Sequence, residues 1–297
     1  MGMADGDDAG RKNNRSDGLG DNQSRIKHPW KNLGMRFISA LAFALITFVP
    51  FYFGGPYWAL MVAVLGSLVI WEWVRMSDPS PTRLAFIIPI SGFLLAAYFT
   101  YVQDYNLTIG IMALAALVAA GERSRRGGLL WAGLGYFYIV IPALFLMSLR
   151  GMEAGIAAPG FILLSFIMLI VIAADTGAYF GGSYFKGAKM APKFSPNKTW
   201  SGFFTGLAAG AFFGASGGIV LGFSPLYGIA MAVPIVIFSV LGDFLESGLK
   251  RTLDVKDAGG VLPGHGGLLD RLDSLMMVIV VVGVVLIFYP NLWPLAI

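Results

Sequence analysis

The sequence predicts an all-α, polytopic transmembrane bundle of about nine spans with the N-terminus inside and the C-terminus outside. Three observations predict it. Of 297 residues, 57% are hydrophobic and only 13% charged, against roughly 25% charged in an ordinary soluble chain. Apolar runs recur along the sequence, most of them near the roughly 20 residues that cross a hydrocarbon core. The basic residues then fall almost entirely in alternate connections between those runs.

Taken in order, residues 1–34 are rich in Asp, Gly, Asn and Lys/Arg and too poor in apolar side chains to fold alone, which reads as a disordered cytoplasmic tail. The first apolar run, 36–53, lacks a short h-region followed by a small-residue cleavage site and reads as an uncleaved anchor. Further runs follow at 57–75, 84–103, 107–120, 128–148, 157–180, 202–222, 226–249 and 274–294. The run 107–120 is short, so eight or ten spans are the neighbouring counts. With nine spans and an inner N-terminus, all of the 21 Lys and Arg residues except Arg150 lie on one side, as the positive-inside tendency expects. The organisation expected is a tail (1–34), an N-terminal helical region (35–150) and a C-terminal helical region carrying the chemistry (151–297). No repeat of fixed period is visible.

Composition also excludes chemistries. Cys is absent and there are 2 His residues, so thiolate nucleophiles, disulfides and Cys- or His-rich metal sites are ruled out. A metal here is a hard cation held by oxygen, with Mg²⁺ the expected choice. The net charge of +4 reflects cytoplasmic loops rather than nucleic-acid binding. Neither G-x-x-x-x-G-K-[ST] nor G-x-G-x-x-G between a strand and a helix occurs, which disfavours a P-loop or Rossmann nucleotide site. Glu72, between Trp71 and Trp73, reads as a side chain that snorkels to an interface or pairs with Arg75.

Polar chemistry concentrates in two connections, 181–201 and 250–273. On a helix continuing past the membrane boundary, Asp243, Glu246, Ser247, Lys250 and Arg251 share one face. Glu246–Lys250 is an i,i+4 pair, and Lys250 and Arg251 also suit plain interfacial anchors. Asp243 lacks a basic residue one turn before it and so reads as functional. Gly259, Gly260, Pro263, Gly264, Gly266 and Gly267 surround His265 and let backbone approach a phosphate closely. His265 has two readings, a turn residue or a phosphate and proton-transfer contact. Asp270 and Asp273 read as caps of the last helix or, for Asp270 together with Asp243, as oxygen ligands to Mg²⁺. Lys250, Arg251, Lys256 and Arg271 would balance polyphosphate charge.

The second cluster is Asp175 with Tyr179 one turn later, then Ser195, Lys198 and Thr199 ahead of span seven. An intramembrane Asp is a functional candidate, and a turn opening a helix is a natural anion site. Pro196 limits helix there.

The run S-x-x-K-R-x-x-x-x-K-D-x-G-x-x-x-P-x-H-G-G-x-x-D-R-x-D, Ser247 to Asp273, resembles the signature of the phosphatidate cytidylyltransferases. Asp175…Ala178-Tyr179 and Ser195-Pro-Asn-Lys-Thr-Trp200 are similar to that family's other polar segments. The likeness covers about 170–275 and departs at Ser201, where many members carry Glu or Gln. It implies CMP transfer from CTP to phosphatidic acid with Mg²⁺, in a cell membrane with the site facing the cytoplasm. It implies Asp243 and Asp270 as metal carboxylates with Asp273 nearby, and Lys250, Arg251, Lys256 and Arg271 on phosphates. Ser247, Asp257 and His265 complete the catalytic set, with Asp175, Tyr179, Ser195, Lys198 and Thr199 on substrate. Two rivals are another membrane lipid-phosphate nucleotidyl- or phosphotransferase, and a transporter coupled through Asp175 and Asp243. The many Gly and Ala residues permit a homodimer.

Overall fold

In the computed structural model the described residues are 45–192, 195–260 and 266–295. The expected tail, the first part of the first span and His265 lie outside them. Helix α1 is described over 45–53 and stops at Gly54. There follow α2 (Gly55–Ser77), α3 (Arg83–Tyr101), α4 (Tyr105–Ser124), α5 (Leu129–Arg150) and α6 (Pro159–Phe185). A hairpin comes next, β1 (Lys189–Ala191) and β2 (Ser195–Thr199), and then α7 (Trp200–Val220), α8 (Pro225–Thr252) and α9 (Leu269–Phe288). Among the described residues, 8 helices are long and apolar enough to cross a membrane. The bundle is therefore all-α, with one short antiparallel hairpin in which Lys189 faces Thr199 and Ala191 faces Ser195.

Span ends differ from the hydropathy reading in both directions: α3, α7 and α9 stop short of it, while α4, α6 and α8 run past it. Helix α4 is a full 20 residues, because Asp104 caps it by accepting from Leu107 N at 3.1 Å and Glu122–Arg123 continue it beyond the apolar run. Helix α8 runs to Thr252 and α6 to Phe185. Asp243 and Asp175 thus sit well inside helices rather than at their ends. A continuous backbone ladder, not hydropathy, decides where a helix stops.

Successive helices pack side by side. Helix α2 lies against both α3 and α5, and α5 lies against α9, which joins the first helices to the last group. In the core, Phe93 of α3 and Val140 of α5 are both wholly buried. Trp73 of α2 donates its indole N–H to Trp131 O at 3.0 Å. Leu117, Phe212 and Val220, by contrast, are 71%, 67% and 84% exposed, as side chains that face lipid are.

Helices α6, α7 and α8 meet through small residues. Gly202, Gly206, Gly210, Gly214 and Gly218 are the buried residues of α7. A side-chain carbon at Gly206 would fall 2.7 Å from Ala174 O, and one at Gly214 would fall 2.7 Å from Gly228 O. Glycine at every fourth position forms one slowly drifting stripe, and the α6 backbone approaches its first half at Gly202 and Gly206 while α8 approaches its second half at Gly214 and Gly218. That approach places the walls of the polar cleft described below.

At the ends of the first helices, buried charges are answered by neighbours. Asp78 pairs with Arg123 at 3.2 Å and Arg126 at 3.1 Å, and Arg126 also grips Glu122 at 2.6 Å. Arg150, the one basic residue outside the charge pattern, is no loop anchor. It is 1% exposed and donates to Phe51 O at 2.5 Å, Tyr52 O at 2.8 Å and Glu153 O at 2.8 Å. Its guanidinium satisfies the last carbonyls of α1, which a helix C-terminus otherwise leaves bare. Gly54 makes room for it: with φ +63°, a side chain there would be strained and would meet Arg150 Nη1 at 2.8 Å.

Candidate active site

A cleft of about 930 Å³ opens between α6, the β1–β2 hairpin, α7 and α8. Its floor is small and apolar, with Ala174, Gly206, Val236 and Val240. Its polar lining comprises Asp175, Tyr179, Lys186, Lys189, Asn197, Lys198, Thr199 and Asp243. The volume suits a nucleotide-sized ligand, since ligand clefts commonly run from about 300 to 1,000 Å³. A second void of about 970 Å³ lies by the far end of α9, lined by Met112, Phe145, Leu286 and their neighbours. It carries none of the acids or bases singled out above.

The hairpin explains the position of Lys198. Pro196 blocks helix through this stretch, and β2 carries the chain to Thr199, whose hydroxyl accepts from Gly202 N at 3.1 Å and caps α7. Thr199 is therefore occupied as a helix cap, with Ser201 Oγ 3.1 Å away. Lys198, one residue earlier, reaches across to form an ion pair with Asp243 and lies over the Phe244 ring at 4.8 Å. Ser247 Oγ donates weakly to Asp243 Oδ1 at 3.4 Å.

Close packing of α8 on α9 gathers further acids. A side-chain carbon at Gly242 would fall 2.7 Å from Asp273 O, so α8 passes tightly over the first turn of α9 beside Asp243. Asp243 interacts electrostatically with both Asp175 and Asp273. The Asp273 carboxylate accepts from Ser274 N at 2.7 Å.

Asp270 belongs to a neighbouring cluster. It takes Lys250 Nζ at 2.8 Å, Ala258 N at 3.1 Å and Gly267 N at 3.1 Å. Lys250 also pairs with Glu246 at 2.7 Å. Of the residues singled out in the sequence, the structure thus brings together Asp243, Ser247, Lys198, Asp175 and Asp273, with Tyr179 and Thr199 lining the same cleft, and separately Glu246, Lys250 and Asp270. Asp243 and Asp270 each have their own ammonium partner. Tyr179, Arg251, Lys256, Asp257 and Arg271 are exposed, and Ser195 is half-buried.

Two residues escaped the sequence reading. Glu72 neither snorkels nor reaches the surface: it is 0% exposed, and its carboxylate accepts from Leu269 N at 2.9 Å. Arg75 lies instead over the Trp71 ring at 4.7 Å. Tyr138, on α5, has a buried hydroxyl and interacts electrostatically with Glu246, Asp273 and Asp243. Only the two tryptophans flanking Glu72, which mark buried packing as readily as an interface, offered a signal. Tyr138 offered none, because one Tyr in an apolar run looks like any other.

Among the described residues no group of three or more His, Asp or Glu side chains is arranged to hold a metal ion. The donor chemistry nevertheless fits a hard cation beside Asp243. Asp243 is within electrostatic reach of both Asp175 and Asp273, and Tyr138 Oη and Glu246 Oε1 are buried with no hydrogen-bond partner among the described residues. Carboxylates and spare oxygens are the donors that Mg²⁺ takes, usually with waters retained.

Residues 34–289 match the family described as the Cytidylyltransferase family. The chain is 35% identical over 253 residues to a phosphatidate cytidylyltransferase of Brucella suis, covering 82% of this chain and 90% of that one. It is 32% identical over 270 residues to one of Haemophilus influenzae, covering 80% and 91%. It is 33% identical over 255 residues to one of Pseudomonas aeruginosa, covering 82% and 93%.

Proposed function

Because this chain belongs to the cytidylyltransferase family, we propose that it transfers CMP from CTP to phosphatidic acid in the cleft beside Asp243. A phosphatidate oxygen attacks the α-phosphorus of CTP in line. The new P–O bond forms as the bond to the β-phosphate oxygen breaks, and pyrophosphate leaves with CDP-diacylglycerol retained in the membrane.

One observation carries this reading: the cleft combines Lys186, Lys189 and Lys198 with Asp175 and Asp243, in a wall otherwise made of membrane helices. A water-soluble polyphosphate and a lipid phosphate can meet only at such a place. The lysines, joined by Lys250, Arg251, Lys256 and Arg271 from the adjoining cluster, bind phosphate oxygens and offset the charge that develops on them. Ser195, Thr199 and Tyr179 line or flank the nucleotide. Thr199 acts through the start of α7 that it caps. No covalent enzyme intermediate is needed.

Mg²⁺ would be held by Asp243 and Asp270, with Asp273 nearby. Asp270 would exchange its Lys250 ammonium for the cation. When bound, the ion supplies charge neutralisation at the phosphates. We place the protein in the cell membrane with the cleft toward the cytoplasm, where CTP is made, supported by the one-sided distribution of Lys and Arg. The small-residue helix faces are compatible with a homodimer.

Purified protein in detergent micelles, given radiolabelled CTP and phosphatidic acid, should yield a labelled lipid and pyrophosphate, and EDTA should stop the reaction. Label that stays water-soluble in the presence of both substrates and Mg²⁺ would overturn the assignment.

A further inference from the structure

Helix α9 starts without a local cap. The residue before it, Leu268, offers no side-chain hydrogen bond, so the first amides would have to find partners elsewhere. One such partner comes from α2, far away in sequence. Glu72 Oε2 accepts from Leu269 N at 2.9 Å, and a carboxylate at this end of a helix also answers its dipole.

The same carboxylate abuts the glycine-rich connection. A side-chain carbon at Gly259 would lie 2.7 Å from Glu72 Oε1, and one at Gly267 would lie 3.2 Å from Oε2. Those two glycines mark the amides that hold Asp270: Gly267 N itself at 3.1 Å, and Ala258 N, one residue before Gly259, at 3.1 Å. Glu72 therefore sets both the backbone that cradles Asp270 and the first turn of the helix that carries it. Burying a carboxylate completely is costly unless it is offset by hydrogen bonds, and the Leu269 amide supplies one of them.

We propose that Glu72 is a positioning residue for CMP transfer, a buried carboxylate from the N-terminal helices that fixes the backbone at Ala258–Gly259 and at Gly267 and presents Asp270 to the site. It touches no substrate and acts through Asp270, so the inference rests on the role given to Asp270 above. Any residue that merely filled this space would serve packing equally well. Only an oxygen acceptor at this position holds Leu269 N and leaves room for Gly259.

The test compares Glu72→Ala, Glu72→Gln, Gly259→Ala and Asp270→Asn as purified full-length proteins in detergent. The readouts are kcat, the KM for CTP and phosphatidic acid, the Mg²⁺ concentration for half-maximal rate, and the thermal unfolding midpoint. Glu72→Ala should lower kcat at least roughly tenfold and raise the Mg²⁺ requirement, the size typical of residues that orient a ligand-bearing side chain, while the KM for phosphatidic acid stays put. Glu72→Gln keeps an acceptor oxygen and should recover most of the rate. Gly259→Ala leaves Glu72 intact but forces the connection away from it, and should repeat the Glu72→Ala kinetics even if that variant folds poorly. Three results overturn the proposal. One is unchanged kcat and Mg²⁺ requirement per folded molecule in both Glu72→Ala and Gly259→Ala beside an inactive Asp270→Asn. Another is Glu72→Gln as slow as Glu72→Ala. The third, a fully active Asp270→Asn, removes the route through Asp270 and the site assignment with it.

Discussion

Lys250 Nζ stands 2.7 Å from Glu246 and 2.8 Å from Asp270, so one ammonium ties the end of α8 to the start of α9. Glu246 is 2% exposed at its side chain and Asp270 14%, which makes Lys250 the cation that keeps two acids tolerable at the membrane boundary.

Lys250→Met should therefore destabilise the protein by about 3–5 kcal/mol, the range for leaving one member of a buried ion pair uncompensated. It should also abolish turnover. The double variant Lys250→Met/Glu246→Gln removes the more deeply buried of the two charges left without Lys250, since Asp270 keeps the Ala258 and Gly267 amides, and should regain part of the thermal stability while remaining inactive. Recovery of both properties together would show that Lys250 serves the fold alone.

A different buried cation serves only structure. Arg150 ties Phe51 O, Tyr52 O and Glu153 O together with Phe51 and Phe161 rings flanking it at 5.6 Å. Arg150→Leu leaves these carbonyls without their donor and should cost at least about 2 kcal/mol, with activity per folded molecule unchanged. Arg150→Lys should recover little, since an ammonium cannot reproduce the planar fork that reaches three acceptors. Thermal unfolding in detergent, paired with specific activity of the folded fraction, reads both outcomes.

Topology can be tested without background, because the chain has Cys 0. Ser124, Lys189 and Asn291 are exposed at helix or hairpin ends. A single Cys at Ser124 or Lys189 should react with an impermeant maleimide only from the cytoplasmic side, and one at Asn291 only from outside. Reversed accessibility at two of these sites would sink the proposed orientation.

The bundle was legible because lipid imposes one rule on every span, enough apolar length with all backbone groups satisfied internally. The charged motif was legible because Asp243 and Lys250 violate that rule at helical spacing. The site's assembly was not. The pairing of Lys198 with Asp243 depends on a hairpin whose strands contain Lys189 and Pro196, residues with no strand preference, held by the register with α7 rather than by propensity. The docking of Glu72 on Leu269 joins opposite parts of the chain, and a buried Glu between tryptophans looks locally like an interfacial one. The glycines of α7 were visible one by one, but their four-residue spacing gains meaning only when α6 packs on the first half of the stripe and α8 on the second. Hydropathy also misplaced helix ends, since it cannot register that Glu246 and Lys250 extend α8 by pairing along it.

Asp243 sits where the acids of the site meet. It lines the cleft, is held by Lys198, and shares the space with Asp175 and Asp273. Three acids around one ammonium leave excess negative charge in a low-dielectric setting, an arrangement that a divalent cation would relieve. Asp243→Asn keeps the size and the hydrogen bond from Ser247 but removes the charge, so the protein should remain folded and inserted. Turnover should fall at least roughly hundredfold, as when one key electrostatic group is lost, and added Mg²⁺ should not restore it. Asp254→Asn is the matched control. Asp254 is exposed, lies within the same polar stretch and holds a φ of +56°, a left-handed conformation that Asn adopts as readily as Asp. It should keep most of the activity. Near-normal turnover in Asp243→Asn at saturating Mg²⁺, or equal loss in Asp254→Asn, would remove Asp243 from the chemistry and leave its pairing with Lys198 as a structural clasp.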